Sequence, residues 1–348
     1  MPAVSEPATV NALEGAFTAQ VDDYATCVAW SRDGGAVAVG DASGALTVFD
    51  PRGATLFTEH AHAGGVQALG WVDGGLVTGG ADGLVRLRQP DGSARLDLPG
   101  SPGPAPGRPW VEQVVVAPRG DRFATAAGKT ARLWTARGEP LFETEPHEST
   151  VAAIAFGATG DELATCCYGG VHLWTVREGA KARHLAWKGS LIAMAWSLGG
   201  KTIACASQDN SIHFWRLPSG ADSEMRGYPF KPKAIAFDAQ GKLLATGGDA
   251  QICCWDFMGR GPEGSKPIVL ESHRAQITQL AFHPRRGLLA SAAQDTGVIV
   301  WEPRRTKKPV RYGFSEDAAS GLAWSPDGSH LAVVDGSGRV IVYRTGSI

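Results

Sequence analysis

Six cysteines and nine histidines are the residues of this chain whose types and spacing could do chemistry. Cys166 and Cys167 stand side by side in ATCCYGGVHLW (164–174), five residues ahead of His172, and Cys253 and Cys254 form a second adjacent pair. Thiolates and imidazoles bind zinc at about 2.0 to 2.3 Å. Two features argue against such a site. No C-x-x-C pair occurs, and adjacent residues of a strand point to opposite faces, so neither cysteine pair can easily grip one ion. His172, His213 and Cys253 do share a register, each two residues before an aromatic residue. They belong to successive units, however, and packed sheets sit about 10 Å apart. The cysteines therefore read as small fillers of β-core positions, with no metal and no cofactor expected.

Other chemical constellations fare no better. GRGPEG (259–264) has the spelling G-x-G-x-x-G, but no helix follows whose amino terminus would hold a pyrophosphate. G-x-S-x-G, P-loop and H-E-x-x-H motifs are absent. Asp22 and Asp23 read as a solvated turn. The histidines and aspartates that recur do so one repeat apart, which is the mark of architecture rather than of a triad. A non-enzymatic protein is expected.

The elements that must position these residues follow from internal repetition. The segments 27–50, 153–176, 193–217, 234–257, 279–303 and 321–344 each read as an apolar strand ending in Trp or Phe, a Gly-containing turn, a strand such as LLATGG, a tight turn often holding Asp, and a strand ending in an aromatic residue. Weaker copies at 68–88 and 114–134 bring the number to eight. The anchors Trp30, Trp71, Val116, Phe156, Trp196, Phe237, Phe282 and Trp324 recur at about 40 to 45 residues, the period of a four-stranded propeller blade. Short β-branched and aromatic runs broken by Gly, Asp and Asn predict antiparallel strands, so the fold class is all-β. Each such sheet has two apolar faces that only stacking and ring closure can bury.

Composition agrees. The chain has 348 residues, of which 43% are hydrophobic and 20% charged, with a formal net charge of -2. This balance suits a globular protein and carries no global electrostatic footprint for nucleic acid or an anionic membrane. No signal-peptide pattern and no run of about 18 apolar residues is present, so a cytosolic chain with reduced thiols is expected.

On these copies the chain resembles the WD-repeat β-propellers over nearly its whole length. The resemblance implies a hydrogen-bonded set in each blade: a His before the first strand, Ser or Thr in the second, Asp in the turn and Trp in the third. His273, Ser291, Asp295 and Trp301 match all four positions. His62, Thr78 and Asp82 lack the Trp, where Arg88 stands, and His147, Thr165 and Trp174 lack the Asp. One domain over 1–348 is expected, a single closed propeller of four-stranded antiparallel blades. Eight blades are favoured, with seven, the commonest number in the family, as the alternative. The resemblance also implies that residues 8–20 supply the outer strand of the last blade and close the ring, removing an open edge.

Function is then expected on the rim formed by the loops before the first strand and between the second and third. Aligning the copies places Tyr24, Trp110, Glu112, Tyr168, Gln208, Lys231, Lys233, Gln276 and Gln294 there. Exposed aromatics flanked by charge have the composition of an interaction hot spot. In MRGYPFKPKAIAF (225–237), Arg226, Lys231 and Lys233 surround Tyr228 and Phe230, a pattern suited to an acidic peptide, with nucleic acid the weaker reading. PRRTKKPVR (303–311) is a second basic run, directed to the opposite rim. Two Pro/Gly-rich loops, 98–109 and 257–267, exceed the period.

A narrower likeness links 204–217 and 227–267 to bacterial WD-repeat proteins encoded beside a CobW-like metallochaperone GTPase. It implies that GTPase as a partner and a role in zinc homeostasis. The leading expectation is a cytosolic scaffold for a protein or peptide partner. A metal-linked accessory protein comes second, and an enzyme with an unrecognised site in the channel third.

Overall fold

Local chemistry explains the strands of each copy, as the sixth shows. Ala234–Phe237, Leu243–Gly247, Gln251–Asp256 and Ile268–Glu271 pair in that order, antiparallel throughout. The first hairpin is closed by Asp238, whose carboxylate accepts from the backbone N–H groups of Lys242 (2.6 Å) and Leu243 (3.1 Å). Gly241 completes that turn at a φ of 65°, a conformation in which a side chain would be strained. The third strand is the apolar ICCW, with Ile252 and Cys254 fully buried on the opposite face from Cys253.

The computed structural model describes residues 12–93, 95–101, 107–177, 180–259, 261–346 and 348. Residues 8–11 of the expected closing strand, 102–106 of the first long loop and 260 of the second lie outside them.

The first strands of the copies form the inside of a closed ring. Ala25–Trp30 lies beside Val66–Val72, followed by Val111–Val116, Ala153–Phe156, the second half of Ala180–Trp196, Ala234–Phe237, Ile277–Phe282 and Ala319–Trp324, which returns to Ala25–Trp30. Closure is made by Glu14–Gln20, which pairs antiparallel with Arg339–Arg344 as the outer strand of the last sheet.

Among the described residues, hydrogen bonding gathers these strands into seven sheets, the alternative number, and this corrects the favoured expectation of eight separate four-stranded blades. Six sheets have four strands, while the fourth and fifth copies share one of six. Two unbroken strands join them. Glu162–Thr175 runs without a break through Tyr168, Gly169 and Gly170, and Ala180–Trp196 runs through the junction of the two copies. Tyr168 pairs with Ser190 across that junction and joins the sheets. Eight copies of the repeat are thus carried by seven sheets.

The core sits between successive copies. Val37 and Val39 pack on Val334 and Val342, and Leu173 and Leu185 of the fourth copy pack on Leu191, Ile203 and Trp215 of the fifth. Fully burying one such side chain contributes roughly 1.5–3 kcal/mol, so each copy depends on its neighbours for stability.

Candidate functional site

Antiparallel order brings the loop before the first strand and the loop between the second and third to the same end of each sheet. A backbone hydrogen bond ties the two together in most copies: the N–H of Ala42 donates to Tyr24, Ala81 to Gly65, Gln208 to Ser190, Gln294 to Gln276 and Gly336 to Ala318, at 2.9 to 3.1 Å. In the fourth copy the N–H of Tyr168 donates instead to Oγ of Ser149, at 3.0 Å. In the sixth, the loop carrying Lys231 and Lys233 presses on Gly248, where an added Cβ would lie 2.8 Å from the Phe230 carbonyl oxygen. Only glycine allows that approach.

The rim residues read from the sequence share this edge but form no single cluster, being distributed over six of the copies. Trp110, Tyr168 and Tyr24 are 54%, 47% and 46% exposed. Glu112, Gln208, Lys231, Lys233 and Gln294 are exposed and Gln276 is half-buried. Phe230 is a further exposed aromatic beside the two lysines. Charge is uneven around the edge: Asp22, Asp23, Glu316 and Asp317 mark the first and eighth copies, whereas Lys188, Lys231, Lys233 and Arg274 mark the fifth to seventh.

Beneath the rim lie the blade sets. Nε2 of His273 and Oγ of Ser291 are 2.8 Å apart, Nδ1 of His273 and Asp295 are 3.1 Å apart, and Nε1 of Trp301 donates to Ser291 at 2.8 Å. Burial is the main influence on His273 and lowers its pKa despite the opposing pull of Asp295. Asp295 is penalised by its own burial, but the N–H groups of Arg274 and Gly297 and the His273 ring outweigh this and hold it low. His62 repeats the arrangement with Thr78 (2.8 Å) and Asp82 (2.9 Å), and His147 with Thr165 (2.7 Å), to which Trp174 also donates.

Sequence reasoning missed the roles of two residues in these blades. Tyr228 takes the place of the histidine in the sixth copy, its hydroxyl lying 2.8 Å from both Oγ1 of Thr246 and Nε1 of Trp255. Arg88, standing where the tryptophan is expected, reaches Glu59 on the outer strand of the preceding copy. A Tyr preceding a strand and an Arg at an aromatic register were the available signals.

The cysteines are free thiols dispersed through the ring. Cys166 faces Cys205 of the next copy rather than its neighbour Cys167. Burial pushes the Cys27 thiol up to about 11 and Cys205 well above its usual range, which leaves little thiolate to attack or ligate. Among the described residues, no three His, Cys, Asp or Glu side chains are gathered so as to hold a metal ion.

Four segments, 138–175, 182–216, 226–256 and 264–302, match the family model described as WD domain, G-beta repeat. Human coronin-7 is 36% identical over 107 residues, which is 30% of this chain and 12% of that protein. Mouse telomerase protein component 1 is 25% identical over 324 residues, 86% of this chain and 12% of that protein. THO complex subunit 3 of Arabidopsis thaliana is 29% identical over 128 residues, 36% of this chain and 39% of that protein. The chain therefore spans only a small part of the length of the first two. Among solved structures, the computationally designed Ika8 protein superposes with a TM-score of 0.78 at 22% identity, covering 97% of this chain and 99% of that one, a likeness of fold. These names, from mammals, a plant and a design, lend no support to the expected likeness to bacterial proteins encoded beside a metallochaperone GTPase.

Proposed function

We propose that this chain, a WD-repeat β-propeller, works as a non-enzymatic scaffold that binds a protein or peptide partner through the rim carrying Tyr24, Trp110, Tyr168, Lys231 and Lys233. One observation carries the reading: three aromatic side chains stand about half exposed on this rim, and the loops of two of them, Tyr24 and Tyr168, are tied down by hydrogen bonds. Rigid, amphipathic side chains on a fixed scaffold suit recognition, because little conformational freedom is lost when a partner covers them. The arc of lysines around the sixth copy favours an acidic partner. Two relatives are named as a component and a subunit of larger assemblies, which suits a chain that works by binding. The reading places the protein in the cytosol, where its thiols stay reduced.

The test is capture from an extract of its own cells. Wild type is compared with Trp110→Ala and with a Lys231→Glu, Lys233→Glu variant, each shown by circular dichroism to be folded. Loss of at least tenfold in captured partner is expected, the size of a hot-spot truncation. Equal capture by all three overturns the assignment of this rim. Stoichiometric zinc in the purified protein would replace the scaffold reading with a metal-linked one.

A further inference from the structure

The sixth copy leaves a space that its neighbours fill. Two residues before the aromatic that ends the third strand, the side chain points toward the preceding copy. Arg132, His172, His213 and Ile299 occupy this register in the third, fourth, fifth and seventh copies. His213 stacks on Trp187 of the preceding copy with ring centroids 3.8 Å apart, and Ile299 packs into the core shared with the sixth copy. In the sixth copy the position holds Cys253, the smallest of the five.

The outcome is a cavity of about 240 Å³ in the sixth copy, walled by Cys253, Tyr228, Trp255 and Pro267, with Asp249 as the one acidic residue of its lining. Arg226, whose side chain is 73% exposed, stands at its edge. Pockets for small molecules run to about 300–1,000 Å³, so this one is sized for a single large side chain. The space is also preformed, because the Tyr228 hydroxyl is pinned by Thr246 and Trp255 at 2.8 Å each and need not move to admit an occupant. Lys231 and Lys233 follow Tyr228 in the same loop, exposed and without an ion pair among the described residues.

We infer that this cavity anchors the partner of the rim, taking one large apolar side chain of the leucine class from an acidic peptide segment whose carboxylates meet Lys231 and Lys233. The inference rests on the reading of this rim as the docking surface and names the chemistry that the docked segment must have. The exposed Lys231 and Lys233 beside the cavity select acidic flanks, placed on their side rather than on that of Asp249, and the volume selects the single apolar anchor. The thiol of Cys253 lines the wall and so reports occupancy.

The probes are a short dye-labelled peptide of glutamates around one leucine, the same peptide with alanine for leucine, and one with glutamines for the glutamates. Binding is read by fluorescence anisotropy, and the rate of Cys253 alkylation by N-ethylmaleimide is followed by peptide mapping, which separates it from the other half-buried cysteine, Cys27. The leucine peptide is expected to bind at least tenfold more tightly than either control and to slow alkylation of Cys253 in proportion. Cys253→Ile restores the residue found at this register in the seventh copy, so it should fold normally and lose the preference for leucine over alanine. Equal binding of the leucine and alanine peptides, a leucine preference that survives Cys253→Ile, or no binding of the leucine peptide at low salt would each overturn the inference. If Cys253→Ile still captures the partner that Trp110→Ala loses, the cavity is wrong and the rim stands. If neither change affects capture, both fail.

Discussion

Nε1 of Trp30 donates a hydrogen bond of 3.1 Å to the carbonyl of Ala323, tying the first copy to the eighth across 293 residues of chain. The same bond recurs from Trp71 to Ala29 at 3.1 Å and from Trp324 to Ala281 at 3.0 Å, each indole reaching the inner strand of the copy before it. Nearer the other end of these strands, Gln279 donates to Ser320 (2.8 Å), Ser320 to Ala25, and Thr26 to Val66 (2.5 Å). Copies seven, eight, one and two are therefore laced at both ends, including the seam where the ring closes. The third, fourth, sixth and seventh copies carry Val116, Phe156, Phe237 and Phe282 at the anchor and have no indole to donate. The fifth has Trp196, but its buried Nε1 finds no acceptor among the described residues.

Opposite signs are therefore expected at two equivalent tryptophans. Trp30→Phe removes a satisfied donor and should cost about 1 kcal/mol, the net worth of one hydrogen bond. Trp196→Phe removes a buried, unsatisfied donor and should leave stability unchanged or raise it slightly. Urea unfolding midpoints at constant slope decide between them. A larger loss at Trp196 than at Trp30 would contradict the account.

Much of this was legible from the chain. A period of about 40 residues with aromatic anchors demands stacked sheets that close on themselves, because each exposes two apolar faces. The sheet count was not legible, since it turned on Tyr168 finding Ser190 in the next copy, a contact between residues whose own patterns predict two separate sheets. The blade set around His273 could be read because all four residue types were in place. Tyr228 could not, because a hydroxyl on a longer ring fills the role of an imidazole only when the loop sets it at the right height. Likewise the adjacent cysteines 166 and 167 drew attention in sequence, while the contact that the fold makes is between Cys166 and Cys205.

Tyr228 carries a second prediction. Tyr228→Phe keeps the ring in the core between the fifth and sixth copies but removes the oxygen that accepts from Trp255. Thr246 retains the Cys253 carbonyl as an acceptor at 3.2 Å, whereas the indole is left unpaired. Leaving one buried donor unsatisfied costs about 1–3 kcal/mol. Thermal unfolding should show a clear drop for Tyr228→Phe and recovery in Tyr228→Phe, Trp255→Phe, which removes both partners. Failure of the double variant to recover would assign the cost to packing alone.

Acidification should destabilise the ring in two stages. Burial holds His62, His213, His273, His283 and His330 below their ordinary value of 6.5. Above that value neither state is protonated and stability is full. As the pH falls below it, the unfolded chain takes up protons that the folded chain refuses, and stability declines. Asp82 and Asp295 are held below their ordinary 3.8, so a further loss follows once the pH falls through that region. The unfolding temperature should thus be lower at about pH 5.5 than at about pH 7.5, and His273→Gln should flatten part of that slope. A midpoint that rises on acidification would refute the buried neutral histidines.

The last prediction concerns the ion pair that replaces a tryptophan. The Arg88 side chain is 1% exposed and Glu59 26% exposed, so the charges meet largely away from water. Breaking such a pair from one side strands a charge and typically costs about 3–5 kcal/mol, whereas replacing both partners can be nearly neutral. Nη2 of Arg88 is buried without a partner among the described residues, so part of its desolvation goes uncompensated even in the intact pair. Arg88→Met should therefore destabilise strongly, Glu59→Gln less because water still reaches the carboxylate, and the double variant less than the sum of the two. A double-mutant cycle by urea unfolding measures the difference directly. Coupling above about 1 kcal/mol means that the pair holds the first and second copies together electrostatically. Additive losses would instead mean that Arg88 serves the junction through its aliphatic stem, as the missing tryptophan would have done through its ring.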